Sequence, residues 1–160
     1  MSVSPDLAAF FGSGRKPHVV VTVGNTLRSD DGAGPYIAER ACPKEGVVLI
    51  NAGGSPENIL EEVRRAGPGR ITFIDAADFG GAPGDIRVIP GEAIPETTIS
   101  THAISLRLIA RLLREDTGAE VDYLGIQPRS VEFGERLSPE VVSAAERIIA
   151  ALSKKTGRRG

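Results

Sequence analysis

HVVVTVGNTLRSDDGAGPYIAERACPKEGVVLINAGGSPENILEEVRRAGPGRITFID, residues 18–75, is the stretch that decides the fold. Three strand-like apolar runs, HVVVTVG (18–24), VVLINA (47–52) and ITFID (71–75), alternate with the helical patterns PYIAERA (35–41) and PENILEEVRRA (56–66). A βαβαβ rhythm of this kind predicts parallel strands with helices packed on both faces. The helix starts are marked by Ser55-Pro56 and, further on, Ser138-Pro139, where a capping hydroxyl precedes a proline whose missing N–H costs nothing in the first turn. Gly67-Pro68-Gly69 ends the second helix.

Outward from this stretch the pattern continues. IRVI (86–89) follows a Gly-Gly-Ala-Pro-Gly loop and predicts a short antiparallel strand at a sheet edge. ISLRLIARLLRE (104–115) predicts a helix with an apolar stripe of Ile104, Leu108, Ile109 and Leu112. VDYLGIQ (121–127) is a further strand, and PEVVSAAERIIAALSKK (139–155) a closing helix. The expected architecture is a single-domain α/β three-layer sandwich around a mostly parallel twisted sheet, of phosphorylase or flavodoxin type. Residues 1–17 are expected to be a loosely attached arm, 18–153 the domain and 154–160 a frayed basic tail.

Composition narrows the function classes. With 160 residues, 41% hydrophobic and 25% charged, the chain suits one soluble domain. No apolar run reaches the ~18–20 residues that span a bilayer, so membrane insertion is not expected. A net charge of -2 leaves no electrostatic footprint for nucleic acid. A single cysteine, Cys42, forms no internal disulfide and fits a reducing cytoplasm. Residues 1–17 lack the basic start and long apolar core of a signal peptide.

Ligands of open α/β sheets bind beyond the carboxyl ends of the strands. There the first strand runs into NTLRSDDGAGP (25–35), the third ends on Asp75, and Ser-Thr-His (100–102) lies in the loop before a helix. The Gly-rich loop fails as a nucleotide site, since neither G-x-G-x-x-G nor G-x-x-x-x-G-K-[ST] is present and Asp30-Asp31 would repel a pyrophosphate. Carboxylates there suit a cation instead. A zinc centre of two or three histidines is nearly excluded, because His18 and His102 are the only two and His18 begins a strand. Asp31, Asp75 and His102 would offer oxygen donors and one imidazole, a set that suits nickel, manganese, iron or zinc with positions left open.

Five segments then carry a resemblance: GNTLRSDDGAGPYIAE (24–39), NAGGSPENILEEVRR (51–65), IDAADFGGAPGDIRVI (74–89), STHAISL (100–106) and LGIQP (124–128). In this order, across residues 18–152, they resemble the nickel-iron hydrogenase maturation endopeptidases, most closely the branch that processes hydrogenase 3 type large subunits. The resemblance implies a cytoplasmic endopeptidase, of aspartic type by family classification, that removes a C-terminal extension from a nickel-loaded large-subunit precursor. It also implies that Asp31, Asp75 and His102 contact a nickel ion carried by that substrate, with no organic cofactor. A monomer is expected. Water attack with Asp31 or Asp75 as base is the favoured chemistry, with a metal-polarised carbonyl and a metal-bound water as alternatives. A non-catalytic nickel or client-binding chaperone would use the same three residues, and a small-molecule metallohydrolase on a flavodoxin-like scaffold is a third reading.

One departure from the family pattern is Asn51, where an aspartate is common, which removes any acidic role at that position. Each site residue also has a structural alternative: a helix cap for Asp31, a strand-end turn for Asp75, a loop position for His102. Asp30 is expected to cap the following helix, Asp78 to organise the Gly-Gly loop, Asn25 to pin the first loop, and His18 to be structural.

Overall fold

The computed structural model describes residues 5–95 and 105–155. Its centre is β1 (His18–Val23), six consecutive buried residues of which four are valine. Such a run suits a strand covered on both faces, since β-branched side chains pack well on a pleated surface. β2 (Val47–Gly53) and β3 (Arg70–Ala76) pair with β1 on either side, both parallel. β5 (Glu120–Ile126) pairs parallel with β3, and β4 (Ile86–Pro90) pairs antiparallel with β5. The order β2-β1-β3-β5-β4 gives the expected mostly parallel sheet, with the antiparallel strand at an edge.

Helices cover both faces. α1 (Leu7–Gly12), α2 (Ala33–Arg40) and α5 (Pro139–Leu152) lie on one side, where Phe11, Ile37, Val141 and Ile148 meet Val20, Ile74 and Leu124. α3 (Leu60–Arg65) and α4 (Leu106–Thr117) lie on the other, where Val63, Ile109 and Leu113 meet Val19, Val21, Phe73 and Tyr123. The period of two in β1, β3 and β5 sends alternate residues to the two layers.

Several expectations are corrected. The stripe of α4 is Leu106, Ile109, Ala110 and Leu113, while Leu108 is 41% exposed. Ile109 belongs to both sets, but only the set starting at Leu106 keeps the i, i+3, i+4, i+7 spacing and faces the sheet; Ile104 lies outside the described residues. Ser105, not predicted as a cap, accepts from the Leu108 N–H at 3.2 Å, and Gly118 ends α4 at φ +72°. Neither Ser55 nor Ser138 caps its helix through its hydroxyl, although each precedes a proline in the first turn. The arm expected over 1–17 contains α1, whose Leu7 and Phe11 are buried against the α5 layer. Its attachment is reinforced where the Arg70 guanidinium donates to the Phe10 and Ser13 carbonyls.

The N-terminal end of the sheet holds a buried polar chain. His18 Nε2 lies 2.7 Å from Thr72 Oγ1, Thr72 donates to Asp122, and Asp122 pairs with Arg70 at 2.8 Å. Because the Thr72 proton goes to Asp122, His18 donates from Nε2 and leaves Nδ1 bare and buried. Burial, aided by Arg70, Lys44 and Lys16, lowers the His18 pKa to about 3. His18 is therefore neutral and structural, as expected.

Candidate functional site

At the opposite end of the sheet Asp31, in the turn after β1, lies close enough to Asp75, the penultimate residue of β3, for its charge to act on that carboxyl. Glycine is what lets the loop after β1 fold back that far. A Cβ on Gly24 would lie 2.0 Å from the Asp31 carbonyl oxygen, and one on Gly34 would lie 2.4 Å from that of Val23. Only glycine permits either approach. Asn25 closes the turn as expected: its Oδ1 accepts from the Leu27 N–H at 2.9 Å, and its own N–H donates to Asp31 Oδ2 at 3.0 Å.

Asp30 behaves differently from expectation. A 3-10 turn over Ser29–Gly32 intervenes before α2 and rotates Asp30 away from that helix, whose N-cap is Gly32. Its carboxylate instead accepts from the Arg129, Ser130 and Ser138 N–H groups at 2.8, 3.2 and 2.7 Å and from Ser138 Oγ at 2.9 Å. It thereby fastens the loop after β5 to the loop after β1. Ser29, at φ +49°, adds to the fastening: its N–H donates to the Gly134 carbonyl and its hydroxyl to that of Glu132, each at 2.7 Å.

Asp75 is fully buried. Its Oδ2 lies 3.4 Å from the Tyr123 hydroxyl, and its Oδ1 has no hydrogen-bond partner among the described residues. Burial, and after it the charge of Asp31, push the Asp75 carboxyl well above the ordinary carboxylate range. Tyr123 is pushed up as well, by burial and by Asp75. A buried carboxyl whose ionisation is opposed by the neighbouring Asp31 charge, with one oxygen lacking a partner among the described residues, is a place where a divalent cation would favour the charged form. His102 lies outside the described residues, and among those described no cluster of three metal-ligating side chains occurs.

The surrounding roles sort cleanly. Asp78 organises its loop as expected, accepting from the Gly80 N–H and from Gln127 Nε2, both at 3.1 Å. Asn51 accepts from Thr22 Oγ1 and the Gly53 N–H, a turn-forming role at the end of β2 without charge. Cys42 is exposed and free. Gln127 and Tyr123 were not singled out in the sequence. Gln127 Oε1 accepts from the Phe79 and Gly81 N–H groups and holds the loop beside Asp75. The signal for both lies in the strand segment at 121–128, where a phenol and an amide interrupt an apolar run.

Comparison with known proteins places the chain in a family and agrees with its fold. The HycI family model, described as hydrogenase maturation protease, matches residues 34–155. The hydrogenase 3 maturation protease of Escherichia coli (strain K12) is 39% identical over 145 residues, covering 89% of this chain and 92% of its own. The crystal structure of a NiFe hydrogenase maturation protease HycI from Thermococcus kodakarensis KOD1 superposes with a TM-score of 0.78 at 29% identity, covering 91% of this chain and 95% of the other. The solution structure of an endopeptidase HycI from Escherichia coli gives a TM-score of 0.75 at 38% identity, over 84% and 88% of the two chains.

Proposed function

The chain belongs to the hydrogenase maturation protease family, and from that premise we propose that it removes the C-terminal extension of a NiFe hydrogenase large-subunit precursor after nickel insertion. Asp31, Asp75 and His102 recognise the nickel held in the client. The names of the relatives support the protease part of this reading. The observation that carries the metal part is the buried Asp75 Oδ1, which lies beside Asp31 and has no hydrogen-bond partner of its own among the described residues.

Nickel in the client, held by the client's own ligands, accepts the two carboxylates and the imidazole at its open positions. That anchorage fixes the C-terminal segment in the cleft and turns hydrolysis into a step within one complex. A cation beside Asp75 also reverses the balance that keeps this carboxyl neutral, so the charge appears when the loaded client arrives. Water then adds to the scissile carbonyl carbon while Asp31 or Asp75 takes its proton. The C–N bond breaks as the leaving nitrogen is protonated. Work in the cytoplasm as a monomer is part of the proposal, and the free, exposed Cys42 is consistent with a reducing compartment.

The test is incubation of purified protein with nickel-loaded and nickel-free precursor, followed by intact mass. Loss of the extension from the loaded form alone, abolished in folded Asp31→Asn, Asp75→Asn and His102→Ala variants, is expected. Cleavage of both forms alike would overturn nickel recognition. Tight binding of the loaded form without a mass change would replace the protease by a client-binding chaperone.

A further inference from the structure

Next to Asp75, on the α4 side of the sheet, lies a cavity of about 230 Å³ that the chemistry above leaves unused. Its walls include Ala77, Phe79, Ile89, Pro95 and Tyr123, with Gly125 among them. The register explains the placement. Asp75 stands opposite Gly125, Gly125 opposite Arg87, and Tyr123 opposite Ile89. Adjacent strands are ~4.8 Å apart, so the cavity opens one strand away from Asp75. Tyr123 belongs to both, since its ring walls the cavity and its hydroxyl reaches Asp75.

Glycine keeps the space open. A Cβ at position 125 would stand 3.1 Å from Ala77 Cβ, 3.1 Å from Tyr123 Cε1 and 3.7 Å from Phe79 Cε1, among the cavity's own walls. Arg87 stacks its guanidinium 4.5 Å over the Phe79 ring and so braces one wall. The volume falls below the ~300–1,000 Å³ of small-molecule sites and suits a single side chain.

We infer that this cavity is a specificity pocket for one apolar side chain of the client segment flanking the scissile bond. The inference rests on the endopeptidase reading. The pocket's neighbour is a residue of the proposed site, its lining is mainly apolar, and its size admits a branched aliphatic group. A client carboxylate there would lose its hydration against Phe79 and Ile89 and stand near the Asp78 carboxylate, while Arg87, the other charged residue of the lining, has its guanidinium stacked on Phe79.

The experiment uses the full-length protein and nickel-loaded precursors in which each residue flanking the cleavage point is varied through Gly, Ala, Val, Leu and Asp. At one of the two positions, Val or Leu is expected to exceed Gly in kcat/KM by roughly 10- to 200-fold, with Asp lower still. Gly125→Ala should shift the preference toward the smaller residues and Ile89→Ala toward the larger, each checked for folding by circular dichroism. An unchanged ranking in either folded variant, or no preference at either position, overturns the pocket. If no precursor is cut by the wild type, the endopeptidase reading fails, and the same series is then read by affinity. Equal affinities across the series overturn the pocket on their own.

Discussion

Asp75 is a liability to the fold and, in the proposed reaction, a ligand to the client's nickel. Its folded pKa is raised, so its favourable contribution is complete at low pH and lost as pH rises through the folded value. At neutral pH and above it therefore weighs against the fold. Asp75→Asn removes the titration while keeping the shape. Such a variant is expected to melt at the same temperature or higher than wild type at pH 8, while losing cleavage; a large fall in melting temperature would contradict the account. That Asp31 and Asp75 would meet at one end of the sheet was legible from sequence, because strand ends and acidic loops are local features. Tyr123 was not, because its role depends on a residue of a different strand 48 positions away.

Among the elements, the clasp between the loops after β1 and β5 depends most on a single side chain. Asp30→Ala strands three N–H groups that it now satisfies. Hydrogen bonds to a charge contribute roughly 1.5–3 kcal/mol each and are not additive, so a loss of about 3 kcal/mol in urea unfolding is expected. Faster amide exchange at Arg129, Ser130 and Ser138 should accompany it. The cap expected from sequence failed because a 3-10 turn cannot be told from a helix start by residue type. α1 escaped notice for a related reason, since six residues are too few to show a helical period. Phe11 is only 1% exposed, and Phe11→Ala is expected to cost ~3–5 kcal/mol by thermal or urea unfolding. A loose arm would cost nothing.

For the whole molecule, the alternation over 18–75 predicted a parallel sheet, yet not its strand order. That order is set by which side of β1 each crossover lands on. The chain steps from β1 outward to β2 and then returns to place β3 on the other side, which opens the crevice between β1 and β3 where Asp31 and Asp75 meet. The opposite end of the sheet bears on global stability. His18 has a folded pKa depressed to about 3 from 6.5, so its contribution is complete above the unfolded value and declines as pH falls from there. At 1.36 kcal/mol per unit the full decline is roughly 5 kcal/mol. The stability difference between wild type and His18→Gln should shrink steadily from pH 7 to pH 4, and a constant difference would show that His18 does not titrate with unfolding.

β3 passes through both polar centres, with the Arg70 and Thr72 side chains hydrogen-bonded to Asp122 in one and Asp75 Oδ1 without a partner among the described residues in the other. Mutational tolerance should therefore run in opposite directions along seven residues of one strand. A library selected for heat resistance alone would hold Arg70 and Thr72 fixed and let Asp75 drift. Selection for client processing would reverse that drift at the same codon, so the two lineages would diverge first at Asp75.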